Sequence, residues 1–583
     1  MYIRVCKNII YFELKIILEK IIFLPHLYLK SMKAIKYFLL TAALFIQSNS
    51  YLQAQSTSGT EFWVTFGQNE FILNANTNVL ELHIRIVNGD KKATGSIHFT
   101  HLETDTDIDF EINPFETFTH SLDPAQKVAA YNTQSVVTNK SIHIVSNAPV
   151  TVFAFTYRAQ ASSDVTNVLP VTSLSKEYYH ISHNSAPNSS DAYVVIATQH
   201  NTLLYHNGDS IATLNLGEVY YKSSGADMTG AKITSNNPIA FYAVHQNASI
   251  PYYFIKSCLM QQLAPINTWD KSFFVPVTIH NKNFVRIVAS QDNTAITQTG
   301  GTIRTDWGGQ PFLTNLQAGQ FVELEVCIDS AGCSINANKP VGICSYIPDH
   351  TIAYKGLPAQ CWIPGVKQSV TRAVIAPFIP LGWDPFTHYA LLITPTATKN
   401  HTKVSINGAA PESLPDDSWS DHIHNGMSFY NMQLSSQNTV YSFINPAGIT
   451  LLGYATGKNN NLISYYYLAY SAMRDLDAAF YANDIHYQDL KNTLFCTKNV
   501  NFRAEIEEFS AGNDHVKWYI DRNDGNGFME ETGFQDALTW SNLFENGIYQ
   551  IKMEILYNNG GTKTLVGTFK INAGFFKIRN VRD

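Results

Sequence analysis

The chain has 583 residues, with 40 Lys+Arg against 47 Asp+Glu and a net charge of −7. At ~150 residues per domain this length predicts several domains or one repeat array. Residues are 45% apolar, 13% aromatic and only 15% charged, which excludes global disorder, and the acidic balance gives no electrostatic basis for binding nucleic acid.

Residues 1–31 hold an apolar run broken by Glu13, Lys15, Glu19 and Lys20. A membrane helix would not carry those charges at its middle, so the segment is read as an upstream extension before a start at Met32. Residues 32–54 have the order of a secretory signal peptide: Lys33 and Lys36, the apolar stretch 37–46, then polar residues ending at Ala54. The apolar stretch is too short to cross a bilayer. The mature chain is therefore expected to be exported, secreted or at the cell surface, with no transmembrane segment.

From 56 to 470 one phrase recurs: SIHIVSNAPVTVFAF at 141–155, AKITSNNPIAFYAVH at 231–245, CSINANKPVGICSYI at 333–347 and, more faintly, VYSFINPAGITLLGYA at 440–455. Each reads as a strand, an Asn-Pro turn and a second strand, with Pro149, Pro238, Pro340 and Pro446 at the turn. A second phrase keeps the same spacing (192–208, 284–301, 391–409) and reads as a β-hairpin around polar turns such as 199–202 and 291–294. The unit is then ~90–105 residues with about seven short strands, repeated three or four times. The expected fold is all-β, with tandem antiparallel sandwich-like units; a closed propeller-like ring is the alternative.

Four cysteines fall between 327 and 361, and Cys327 and Cys333 flank a turn-like segment. After export they are expected to lie in disulfide range. Residues 475–583 form a separate segment with clean in–out alternation at 516–520 and 549–555. An immunoglobulin-like sandwich is expected there, with Trp518 in its core and no intersheet disulfide, because a second core cysteine is missing.

The motif GTEFWVTF at 59–66, the repeated N-x-P-[VI] phrase and the "LPV…YY" landmark at 169–179 resemble the N-terminal domain family of IgG-Fc-binding proteins across roughly 59–470. The 475–583 segment is similar to Ig-like modules of surface proteins from Bacteroidales-type bacteria. The resemblance implies an exported, non-catalytic binding or adhesion protein whose partners are a host glycoprotein, mucin or immunoglobulin.

No HExxH, GxSxG, Walker or GxGxxG motif is present, and no cofactor or metal is expected. His422 and His424 have the spacing of a metal pair but lack a visible third ligand, and 521–527 departs from a calcium loop, so both are read as turns. Weak binding candidates are Tyr465, Tyr466 and Tyr467, the densest aromatic run, and the turn residues Asn201 and Asn293. Against them stands the reading that the tyrosines fill a strand core and the asparagines only shape turns. Two other functions stay open: a glycan-cleaving enzyme on a propeller scaffold, with two carboxylates anywhere in sequence, and a structural part of a surface assembly.

Overall fold

The repeated Asn-Pro phrase is not a turn between two strands. In the computed structural model each copy lies within one long strand of 15 to 17 residues: Ile142–Arg158, Lys232–Ala248, Cys333–Ile347 and Tyr441–Gly457. The structure describes residues 56–573 apart from 70–78, 103–105, 160, 251–254, 304–314, 349–356, 379–383, 423–424, 436–438, 459–462, 477, 507–513, 532, 534–535 and 557–561. It divides into two units, 54–477 and 478–583.

Proline is tolerated inside these strands because each is kinked there. An opening strand runs antiparallel along the first part of each long strand: Ser58–Val64, Ser175–Tyr179, Asp270–Val275 and Val370–Ile375. In its register one residue spans four of the long strand, which leaves out 146–149, 235–238, 337–340 and 445–448. Every repeat proline falls in that bulge, where a missing N–H forfeits no ladder bond. The long strand therefore belongs to one sheet before the kink and to a second after it, and each repeat closes into a two-layer antiparallel sandwich around a shared strand.

The second phrase also differs from its expected form. Its two strands do not pair with each other. Asp191–Ala197 pairs with the long strand after the kink and Thr202–His206 with the same strand before it. The phrase is one broken strand that follows the kinked strand from sheet to sheet. The asparagine ahead of the proline holds the break. Asn236 Oδ1 accepts from the Leu203 N–H at 2.7 Å and its Nδ2 donates to the Asn201 carbonyl at 3.1 Å; Asn338 does the same for Ala295 and Asn293 at 2.8 and 3.3 Å. Asn147 accepts from the Thr94 N–H, and Asn445 binds Thr394, Thr398 and Thr402.

Each long strand hairpins into an inner strand: Ser162–Val168, Ser257–Gln262, Ala359–Ile363 and Ser464–Tyr470. Inner strand 1 packs against 2 and 4, and 3 packs against 2 and 4, so the four repeats close a ring. The sandwich-like and ring-like expectations thus describe two levels of one architecture. 3-10 turns at Val171–Ser173, Ile266–Thr268 and Val366–Gln368, capped by Pro170, Pro265 and Gly365, link successive repeats. The chain ends of the ring meet where the Thr57 N–H donates to the Ser471 carbonyl at 3.0 Å.

Every inner strand pairs with its long strand on one edge, so its other edge presents backbone groups to the ring centre. Side chains satisfy them. Asp164, fully buried, accepts from the N–H groups of Val165 and Met260 at 3.0 Å each, from Tyr466 at 3.4 Å, and from Gln360. One carboxylate thus touches the inner strands of all four repeats. Burial pushes its carboxyl well above the ordinary range, while the amide donors pull it back. Gln261 Nε2 donates to the Val165 and Tyr466 carbonyls at 2.6 and 3.1 Å, and Thr166 accepts from the Gln262 N–H at 2.7 Å.

The 478–583 unit is a separate sandwich with its own core. One sheet contains Ala478–Ala482, Asn499–Ile506 and Thr539–Leu543; the other contains His515–Asp521, Gly547–Leu556 and Thr562–Ile571. Trp518 is fully buried against Phe480, Phe502 and Trp540, and its indole N–H donates to the Ala537 carbonyl at 2.8 Å. Cys496 lies exposed.

Replacing Asp164 with alanine orphans several buried amides, each costing ~1–3 kcal/mol, so urea unfolding of the ring is expected to show a loss of about 4 kcal/mol or more. Asp164→Asn keeps one acceptor oxygen and is expected to cost less. Equal, small losses for the two variants would show that the carboxylate does not hold the ring.

Candidate binding surface

The structure disperses the residues singled out in the sequence. Tyr465, Tyr466 and Tyr467 form part of inner strand 4 and are at most 2% exposed. Tyr467 fills the space above Gly453, where a Cβ would meet its ring at 2.5 Å, and Tyr465 bonds His388. These rings offer no stacking face to solvent. Asn201 and Asn293 do reach solvent, at the breaks described above, with left-handed φ of 56° and 58°. Thr202 and Thr294 close those turns by donating to the Gln199 and Gln291 carbonyls at 2.8 and 2.7 Å. The shape of the turns is accounted for by the architecture.

Cys327 and Cys333 are not bridged. Cys327 ends a strand paired with Lys282–Ala289 and Gly301–Ile303, whereas Cys333 starts a long strand whose first part pairs with Asp270–Val275 and Ile296–Thr299. The two are not ladder neighbours, and their thiols face Glu325 and Gln298 respectively. Cys258, Cys333, Cys344 and Cys361 are buried, and burial pushes all four thiols up. A thiol reagent is expected to label Cys496 rapidly and Cys327 slowly in the native chain, and the other four only after denaturation. Rapid native labelling of the buried four would contradict this packing.

His422 is buried against Phe274, with Nε2 3.3 Å from the Thr299 carbonyl; His424 lies outside the described residues. In the 521–527 segment, Asp521 and Asp524 accept from the N–H groups two residues on, as hairpin turns do. Among the described residues no three His, Cys, Asp or Glu are placed to hold a metal.

Sequence inspection missed a charged cluster between repeats 2 and 3. Arg286, 1% exposed, donates to Glu323 at 2.8 Å, Asp227 at 2.6 Å, Thr229 at 2.9 Å and the Ser182 carbonyl at 2.8 Å. Burial alone would lower the guanidinium pKa, but Asp227 and Glu323 outweigh it and hold it up. Its one legible signal is a charged residue inside the apolar run FVRIVA, 284–289. Glu323→Ala breaks a buried ion network and is expected to cost ~3–5 kcal/mol by denaturant unfolding. A loss below about 1 kcal/mol would place the pair in the class of surface bridges.

Asp164, Met260, Gln360 and Tyr466 meet at one level, so the inner strands run side by side at the ring centre. Polar side chains of repeats 1 and 2 pair near the ends of their strands: Gln68 with Gln246 at 2.6 Å, Asn69 with Ser162 at 2.7 Å, and Ser185 with His245 at 3.2 Å. The last pair is not an activated nucleophile. The Asn247 N–H points at His245 Nδ1 from 3.1 Å, so Nδ1 is the lone-pair nitrogen and Nε2–H donates to the serine. A general base needs the opposite tautomer.

The family model described as IgGFc binding protein matches residues 49–225 and, in a second overlapping alignment, 164–454. The chain belongs to this family. That one model aligns twice agrees with the internal repeats. Membership supports a binding rather than a catalytic protein. No curated protein matches the sequence. A structure from work on host cell surface retention of a 1.5-MDa bacterial ice-binding adhesin is 10% identical, covering 73% of this chain and 91% of that one with a TM-score of 0.10. Sidekick-1 immunoglobulin domains 1–4 are 10% identical over 68% and 99% of the two chains, with a TM-score of 0.10. The human desmocollin-1 ectodomain is 8% identical over 83% and 94%, with a TM-score of 0.12. Scores this low leave the architecture to be read from the strand pairing. Among the described residues no helix is long and apolar enough to cross a membrane.

Proposed function

We propose that this chain is an exported, non-catalytic binding protein whose four-repeat ring recognises a host glycoprotein, immunoglobulin or mucin through its loops. The family match across 49–454 carries this reading. The ring centre supports it, because its polar groups are spent on joining strands, which leaves recognition to loops on a rigid β-scaffold. The 478–583 unit serves as a spacer or docking module.

Biolayer interferometry with residues 55–583, and with the 54–477 and 478–583 units separately, tests this against immobilised immunoglobulin Fc and mucin. Each unit has its own core. Binding is expected from the full chain and the ring, and not from the 478–583 unit. Binding confined to that unit, or release of sugar from mucin by the ring, would overturn the proposal.

A further inference from the structure

Three seams between repeats are backed by the chain itself. The fourth, between repeats 4 and 1, closes the ring and is held only by non-covalent contacts. Its apolar part joins Phe153, Phe155 and Val165 of repeat 1 to Phe378, Phe386, Tyr465 and Tyr467 of repeat 4.

Titratable groups sit inside this apolar contact. His388, 1% exposed, has Nδ1 2.5 Å from the Tyr465 hydroxyl and Nε2 3.0 Å from Asp384, whose other oxygen is 3.0 Å from Lys458. From repeat 1, buried Arg85 lies 5.7 Å from the Phe378 ring centre and donates to Thr119 at 2.7 Å. His83, 1% exposed, packs on Phe155 and Phe378 at 5.7 and 6.2 Å and bonds Ser121 and Glu81. Lys127 stands next to Glu81. At the outer end of the seam Arg372 meets Asp90 at 3.2 Å. Tyr157 and Tyr467 stay neutral, since burial raises both hydroxyls.

An imidazolium at 388 would add a buried cation to a site that already holds Arg85. Its carboxylate neighbour Asp384 is already paired with Lys458.

We propose that the closing seam is an acid-sensitive latch: protonation of His388 releases repeat 4 from repeat 1 and opens the ring. Burial holds the His388 pKa below its ordinary value, against the pull of Asp384. The unfolded chain then binds this proton more readily than the folded one. The stability lent by the neutral imidazole is therefore complete above a pH of about 6.5 and declines as pH falls below it.

Hydrogen exchange of the full chain at a pH of about 7.5 and about 5.5, corrected for intrinsic rates, tests the latch. Peptides covering 464–470 and 150–158 are expected to lose protection by up to about tenfold at the lower pH, while 359–363 keeps its own. His388→Phe, which keeps a ring in place but cannot protonate, and His388→Gln, which keeps a polar partner for Tyr465, are each expected to retain seam protection in acid. Uniform loss across all four inner strands, no loss in the parent chain, or an unchanged acid response in both variants would overturn the proposal.

Discussion

The ring depends on how four sheet edges are satisfied at its centre. Each inner strand is an edge strand, and a row of unpaired N–H and C=O groups is ordinarily either wet or paired with another strand. Here four such edges converge and no strand is left to pair with them. Side chains take the place of the missing ladder. Asp164 gathers amides from all four repeats, and Gln261, Thr166, Ser163 and Asn167 bind further backbone groups of neighbouring strands. A hydrophobic centre would leave those groups unsatisfied, so the polarity of the centre follows from its geometry.

That geometry originates in the kink. A straight strand of 15 to 17 residues would extend one sheet; bent at the Asn-Pro bulge, it serves two sheets and folds each repeat into two layers. The asparagine must be polar on both sides, because it meets a backbone N–H and a carbonyl in the same break. The proline excludes a ladder partner at the point where pairing has to lapse. The repeated phrase is thus an architectural device, which explains its return in all four copies.

Much of this was legible in the sequence: the four copies, the unit length, about seven strands in each, and a separate alternating segment with Trp518 inside. The errors share one cause. Proline within a strand-like run signals a turn when only local sequence is weighed, yet at Pro238 the deciding fact is that Ser175 and Glu177 pair across a four-residue gap in a distant strand. Likewise 192–208 looks like a hairpin because its strands are adjacent in sequence, while their true partner lies about 40 residues on. Cys327 and Cys333 are close in sequence but join different ladders. Asp164 carried no local signal at all, since its partners come from three other repeats.

Where the copies diverge, each seam acquires its own character. One inter-sheet position holds Arg85, Val194, Arg286 and Leu391 in the four repeats, and its neighbour across the ladder is Thr119, Tyr221, Glu323 and Asn431. Arg286 with Glu323 reaches back to Ser182 and Asp227 of repeat 2, Asn431 reaches the Val277 carbonyl of repeat 3, and Arg85 faces Phe378 of repeat 4. The scaffold residues are constrained alike in every copy by the kink, whereas this pair is constrained only by the repeat it meets. Four equal repeats could in principle associate in any order or with other copies of the chain. Distinct chemistry at each seam, ionic at one, amide at another and aromatic with buried cations at the closing one, fixes a single order of assembly around the ring.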